Sequence, residues 1–304
     1  LRGLIVRSQS GFYTVETKTG SFNCHLRGRL KQGKRMGDIV AVGDWVEISQ
    51  QSDGEGMIEA VEPRTHLLCR MAPTPRGEYR QIILANPDQA VFIFACAKPE
   101  PHLGMLDRLL VVAEKQGVPV LVLANKVDLV DATQAQELFS RYEQLGYPVI
   151  YTSAKSSLGI PELAEKLMGK ISVFAGPSGV GKSSLLNALQ PGLGLVIRSV
   201  SQATEKGMHT TVIRQLFPLQ GGGYVADTPG MKALALWDIR PEELDGYFPE
   251  LRELVAGCQF SNCSHVHEPG CAVQAALANG AVHPERYASY VRMRLGQEES
   301  LLMP

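Results

Sequence analysis

The sequence predicts a multidomain chain: an N-terminal all-β barrel, a central α/β unit with a parallel sheet, and a small C-terminal helical unit holding a metal. Three observations predict it. Short β-rich runs punctuated by Gly, Asn and Asp fill residues 1–68. Continuous apolar strands then alternate with amphipathic helices. Near the end, three cysteines and a histidine gather within fourteen residues.

The 304 residues are 44% hydrophobic and 20% charged, an ordinary globular balance that excludes wholesale disorder. The longest apolar runs, Ala90–Ala97 and Val118–Ala124, are too short to span a bilayer, so no membrane partner is expected. No basic stretch leading into an apolar run opens the chain, and the expected location is cytoplasmic. Net charge is −1 but uneven. Residues 1–36 carry eight Lys/Arg against Glu16 alone, whereas residues 237–304 carry five basic and ten acidic groups. A basic end on a neutral protein points to a polyanionic partner for that end.

Within residues 1–68, strand patterns run over Gly11–Thr17, Phe22–Arg27, Ile39–Ile48 and Met57–Val61. A barrel of five short strands is expected there, of the OB-fold type. Arg27, Arg29, Lys31, Lys34 and Arg35 lie on one loop and offer phosphate contacts. Phe12, Tyr13, Phe22 and Trp45 are stacking candidates that compete with a core role. Residues 71–80, with two prolines, read as a linker.

The second unit, 69–236, alternates strand and helix. Gln89–Cys96, Val118–Leu123, Pro148–Thr152 and Ile171–Ala175 read as buried strands; Leu103–Gln116, Thr133–Leu145 and Ile160–Met168 read as helices. The third unit, 237–304, is short in its elements and acidic.

Gly176, Pro177, Ser178, Gly179, Val180, Gly181, Lys182 and Ser183 form a Gly-x-x-x-x-Gly-Lys-Ser pattern between a strand and the helix that follows from Ser184. Such a loop turns its N–H groups onto phosphate oxygens; Lys182 reaches the β- and γ-phosphates and the Ser183 hydroxyl binds Mg²⁺. Asn125-Lys126-Val127-Asp128 follows a buried strand. A carboxylate there accepts from guanine N1–H and the 2-amino group, donors that adenine lacks, so GTP is the expected nucleotide. Asn125 would brace neighbouring loops and the Lys126 stem would lie along the base. Ser153, Ala154 and Lys155 end the next strand, where a backbone N–H meets guanine O6. Asp227 opens Asp-Thr-Pro-Gly, with Asp227 holding Mg²⁺ through water and the Gly230 N–H on the γ-phosphate. Between them lies His209-Thr210-Thr211; one of the two threonines closes over Mg²⁺ and the γ-phosphate.

All five GTPase elements are therefore present, but the guanine-reading pair precedes the phosphate loop. The central unit is a circularly permuted P-loop GTPase domain, a rearrangement that closely spaced domain termini permit. Where many GTPases carry a water-orienting Gln after this motif, the chain has Met231. His209, or a partner, must orient the attacking water.

Cys258-x-x-x-x-Cys263-x-His265, followed by Cys271, offers three thiolates and an imidazole. That set closes a tetrahedral structural Zn²⁺ site, with His267 a rival to His265.

This order of motifs, between a β-barrel and a Cys/His cluster, resembles the RsgA (YjeQ/YloQ) family over nearly the whole chain. The resemblance implies a GTPase acting in late maturation of the small (30S) ribosomal subunit. It implies hydrolysis to GDP and phosphate that the subunit stimulates and that drives release. It implies contact with 16S rRNA through the OB-fold, and a bound zinc. Residue by residue, it gives Asn125, Lys126 and Asp128 to guanine. Gly181, Lys182 and Ser183 go to phosphate and Mg²⁺, His209 and the threonines to the switch, and Cys258, Cys263, His265 and Cys271 to zinc. Family members often carry Arg where this chain has Met208. A monomer is expected. Two other readings use the same motifs: a nucleotide-gated RNA-binding module and a small-molecule kinase. The guanine motif argues against the kinase.

Overall fold

The computed structural model describes residues 1–31, 38–74, 77–193, 215–227 and 239–297. His209, Thr210, Thr211, Gly230, Met231, Lys34 and Arg35 lie outside the described residues.

Five strands close the barrel: β1 (Arg2–Gln9), β2 (Phe12–Thr17), β3 (Gly20–Leu26), β4 (Trp45–Ser52) and β5 (Glu55–Val61), in the order β1-β2-β3-β5-β4. β1 pairs with both β2 and β4, which completes the ring, and β3 runs parallel to β5. Ile5, Val15, Phe22, Cys24, Val46, Ile48 and Ile58 alternate inward and fill it. Sequence reading missed β1, whose four consecutive buried residues hide the period of two. The expected strand Ile39–Ile48 begins only at Trp45, because Val42–Asp44 turn the chain into the barrel with Gly43 at positive φ.

The expected linker at 71–80 is instead the arm of a hairpin. β6 (Leu67–Thr74) and β7 (Gly77–Ala85) pair antiparallel over their whole length. Asp38 anchors the hairpin by accepting from the Tyr79 hydroxyl and the Ile82 amide.

The central sheet has the order β10-β9-β8-β11-β13-β12. Its strands are β8 (Gln89–Ala95), β9 (Val120–Asn125), β10 (Val149–Thr152), β11 (Ile171–Ala175), β12 (Phe217–Pro218) and β13 (Tyr224–Asp227). All pairings are parallel except β12 with β13. Helices α1 (Leu103–Gln116) and α2 (Ala132–Gln144) cover one face; α3 (Ile160–Leu167) and α4 (Lys182–Leu189) cover the other. The fully buried β8 and β11 explain why these strands read as unbroken apolar runs. α2 starts with a capping box, Asp131 and Gln134 each bonding the other's backbone N–H.

The C-terminal module contains α5 (Pro249–Arg252), α6 (Ala272–Ala278), α7 (Pro284–Arg294) and short 3-10 turns. Its apolar cluster reaches Val111 of α1, so it shares a core boundary with the sheet layer. No helix among the described residues is long and apolar enough to cross a membrane.

Candidate active site and metal centre

The phosphate loop leaves β11 and enters α4. A Cβ on Gly176 would stand 2.1 Å from the Ile93 carbonyl oxygen of β8, so only glycine lets the loop cross there. Gly181 sits at φ +101° and its Cβ would meet the Asn125 amide at 2.5 Å. The glycines thus serve close approach as well as the N–H cradle. Lys182 Nζ donates to the carbonyls of Gly176 (2.8 Å) and Pro177 (2.9 Å), which folds the lysine back over its own loop. Ser183 and Ser184 open α4, whose N-terminus faces the loop.

The Asn125–Asp128 segment is bonded to that loop. Buried Asn125 donates from Nδ2 to the Val180 carbonyl at 2.7 Å and accepts from the Thr152 hydroxyl at 3.1 Å. It bridges β9, β10 and the phosphate loop at once. Lys126, at φ +61°, donates to the Gly179 carbonyl (2.6 Å) and to the Lys98 carbonyl. Burial there lowers its pKa, with Asp128 opposing. Asp128 is exposed and accepts from the Ser153 hydroxyl at 2.7 Å; that hydroxyl also accepts from the Ser156 N–H. One carboxylate oxygen is thereby oriented by the Ser153-Ala154-Lys155 loop. The predicted residues on three separate loops therefore meet at the C-terminal edge of β8, β9, β10 and β11, where open α/β sheets bind ligands. Asp227 ends β13 opposite Phe174 of β11, on the same edge. The Lys98 carbonyl is a partner that sequence reading did not find, since a main-chain acceptor carries no residue signature.

In the C-terminal module, one donor atom each from Cys258, Cys263, His265 and Cys271 lies within 4.8 Å of all the others. His265 Nδ1 is 3.5 Å from Cys258 Sγ and 3.4 Å from Cys271 Sγ, and the two sulfurs are 4.0 Å apart. Ligands at zinc–sulfur and zinc–nitrogen distances on a tetrahedron are separated by about 3.5–3.8 Å, so the set fits zinc. His265 is fully buried while His267 is exposed, which separates the two rivals. Two supports were invisible in the sequence. Asp245 Oδ2 lies 3.1 Å from His265 Nε2, fixing the tautomer that leaves Nδ1 free for a metal. The Tyr287 hydroxyl donates to the His265 carbonyl at 2.7 Å. Glu268 accepts from the Ser264, Val266 and His267 amides, and the Ser264 side chain together with the Ser264 and His267 amides holds its carboxyl well below the usual range.

On the barrel, the four aromatic stacking candidates separate. Phe22 is buried in the barrel core and Tyr13 is half-buried against it. Trp45 packs on the sheet's cluster beneath the Arg2 guanidinium, 4.1 Å from the ring. Phe12 is 45% exposed and packs its ring 4.4 Å from His25. With Arg7, Gln9, Thr14 and Asn23 it borders a shallow hollow of about 380 Å³ on the outer face of β1–β3. Arg27 and Arg29 both pair with Glu59, so part of the basic cluster is neutralised within the barrel.

The RsgA GTPase profile matches residues 61–237 and the RsgA N-terminal domain profile matches residues 2–58. A protein of Gemmatimonas aurantiaca named small ribosomal subunit biogenesis GTPase RsgA is 44% identical over 296 residues, covering 96% of each chain. A protein of the same name from Alkaliphilus metalliredigens is 39% identical over 294 residues, again covering 96% of each. The crystal structure of YjeQ from Thermotoga maritima superposes with a TM-score of 0.79 at 40% identity, covering 97% of this chain and 98% of that one. That of YloQ, described as a circularly permuted GTPase, gives 0.75 at 31% identity, with 100% and 96% covered. Sequence and fold agree along the full length, and the chain belongs to the RsgA family of GTPases.

Proposed function

We propose that the chain hydrolyses GTP to GDP and phosphate in small ribosomal subunit biogenesis, the process its relatives are named for. The observation that carries this reading is the bond from Asn125 to the Val180 carbonyl, which joins the guanine motif to the phosphate loop. Asp128, aligned by Ser153, accepts from the two guanine donors; a backbone N–H of the Ser153–Lys155 loop meets O6. The N–H groups of 176–184 and Lys182 take the phosphates and neutralise charge as the γ-phosphoryl transfers to water. Ser183, and Asp227 through water, would hold Mg²⁺, which would supply further charge neutralisation there. Thr210 or Thr211 and the Gly230 N–H close on the γ-phosphate, and His209 orients the water in place of the missing Gln.

Zinc held by Cys258, Cys263, His265 and Cys271 is structural, because four protein ligands leave no open position. Domain limits of 1–68, 69–236 and 237–304 follow the sequence divisions. The barrel's Phe12–His25 pair and neighbouring polar groups suit an unpaired base of 16S rRNA, with phosphate contacts from the basic loop. Subunit binding stimulates hydrolysis, and hydrolysis drives release. The chain works as a cytoplasmic monomer.

Asp128→Asn tests the nucleotide reading. Two charge-assisted hydrogen bonds are lost, so GTP affinity should fall about 10²–10⁴-fold while xanthosine triphosphate, which carries a 2-oxo acceptor, gains. Unchanged GTP preference in a nucleotide competition assay overturns the assignment.

A further inference from the structure

The barrel holds the hairpin that joins the two nucleotide-sensing segments. In β1 the register against β2 shifts between Ile5 and Arg7, so Val6 is an extra residue in the ladder. Its carbonyl accepts instead from the Leu216 N–H at 2.8 Å, and Arg7 forms an antiparallel bridge with Gln215. The Val6 and Leu216 side chains are both buried in the cluster under the central sheet. A second bond lies one strand further on. The Tyr224 hydroxyl of β13 donates to Glu16 of β2, and burial pushes that hydroxyl up to about 12, so it remains a donor at neutral pH. Leu216 leads into β12, β12 pairs with β13, and β13 ends at Asp227. Residues 194–214, with His209 and both threonines, end one position before Gln215, and 228–230 begin just after Asp227.

We infer that Val6, Leu216, Glu16 and Tyr224 form a positioning joint through which the barrel sets the catalytic segments on either side of the 215–227 hairpin. The inference rests on the function proposed above. A bulge in a small closed barrel costs ladder pairing, and here the released carbonyl is used across the domain boundary. The same strand carries Arg7 and Gln9 to the outer face beside Phe12, so a ligand on that face and the end of the switch segment share one rigid element. A ligand on that face therefore bears on the hairpin from whose two ends those segments lead. None of Val6, Leu216, Glu16 and Tyr224 is among the residues assigned above to nucleotide or RNA.

The test measures GTP turnover of the full chain, alone and with purified small ribosomal subunits, together with subunit affinity. If wild type is not stimulated, the proposed function fails, and this inference with it. Given stimulation, Leu216→Ala should keep basal turnover and affinity within about twofold and lose about tenfold of stimulated kcat. Leu216→Met, which refills the joint, should restore it. Tyr224→Phe keeps the ring and should lose about threefold of stimulated kcat, and it decides the question if Leu216→Ala does not fold. Stimulated kcat equal to wild type in the deciding variant overturns the joint. So does a fall in subunit affinity with kcat unchanged, which would make these residues supports of the binding face only.

Discussion

The barrel and the C-terminal module both pack against the central layer, but the barrel's joint is mainly apolar, whereas the C-terminal module adds a buried ionic centre to its apolar contact with Val111. Leu4, Val6 and Val42 of the barrel belong to the same buried cluster as the sheet. Beside Val111, the C-terminal module meets α1 and α2 through ions. Arg286 is 1% exposed and donates to Asp107 of α1 at 2.8 Å and to Glu250 at 2.7 Å, with its guanidinium 4.5 Å from the Phe248 ring. Asp107 also accepts from the Tyr142 hydroxyl of α2 at 2.9 Å. Around this centre lie Lys115–Glu243, Arg141–Glu285 and Arg252–Glu114. An apolar joint is tolerant of small shifts and its orientation must be set by main-chain bonds. A buried ion pair sets orientation itself, and its worth depends on every member being present.

Metal removal should separate the two modules most. Structural zinc sites contribute about 10–16 kcal/mol in small domains that fold around them, and this module has short helices and one small apolar cluster of its own. Cys271→Ser keeps an acceptor for the Gln274 N–H that caps α6, so it removes the metal ligand without removing the cap. The expected result is loss of one zinc per chain and rapid proteolysis within 239–297, with the barrel left intact. Full zinc content in purified Cys271→Ser would sink the ligand assignment.

The ionic seam comes next. Arg286→Met leaves Asp107 and Glu250 facing one another without their cation, a loss of about 3–5 kcal/mol for a broken buried pair. Urea unfolding should show it. A change below about 1 kcal/mol would mean that the seam is as weak as an exposed pair. At the apolar joint, Val6→Ala should cost about 1–3 kcal/mol. That cost should not change between about 0.05 and about 0.5 M salt, because no charge is screened; a marked salt dependence would erase the contrast between the joints.

The smallest effect concerns the rim of the seam. Bonds from Lys115 and Arg240 hold the Glu243 carboxyl down to about 2. Its contribution is therefore whole above its ordinary value near 4.5 and is lost as pH falls toward about 2. Glu243→Gln should flatten the pH dependence of amide exchange in 241–247 across that window. An unchanged profile would assign the acid sensitivity elsewhere.

The legible parts of the molecule were those whose signal is local. The strand–loop–helix around Lys182, the strand-end motif at Asn125 and the Cys258–Cys271 spacing each occupy a short stretch, and period and spacing there report directly on backbone geometry. α1 and β11 have the limits their apolar patterns predict. Strand β1 was missed because it is buried on one side by the barrel and on the other by the sheet, so the alternation that marks a half-exposed strand is absent. The β6–β7 hairpin was missed because prolines at 73 and 75 suggest a break, yet a strand of a two-stranded sheet tolerates Pro73.

By itself the sequence offered the candidate chemistry: a phosphate-loop motif, a carboxylate proposed to read guanine, a candidate four-ligand metal set, and the permuted order that joins them. Only the tertiary structure decided which groups support that chemistry. Asp245 lies twenty positions from His265, Asp107 lies 179 positions from Arg286, and the Val6 carbonyl meets an N–H at position 216. It also decided that Phe12 faces solvent while Phe22 is buried and Trp45 half-buried. The physical reason is the same in each case. Propensity and spacing are properties of neighbours along the chain, whereas burial and pairing are settled by whichever distant segment closes over a residue.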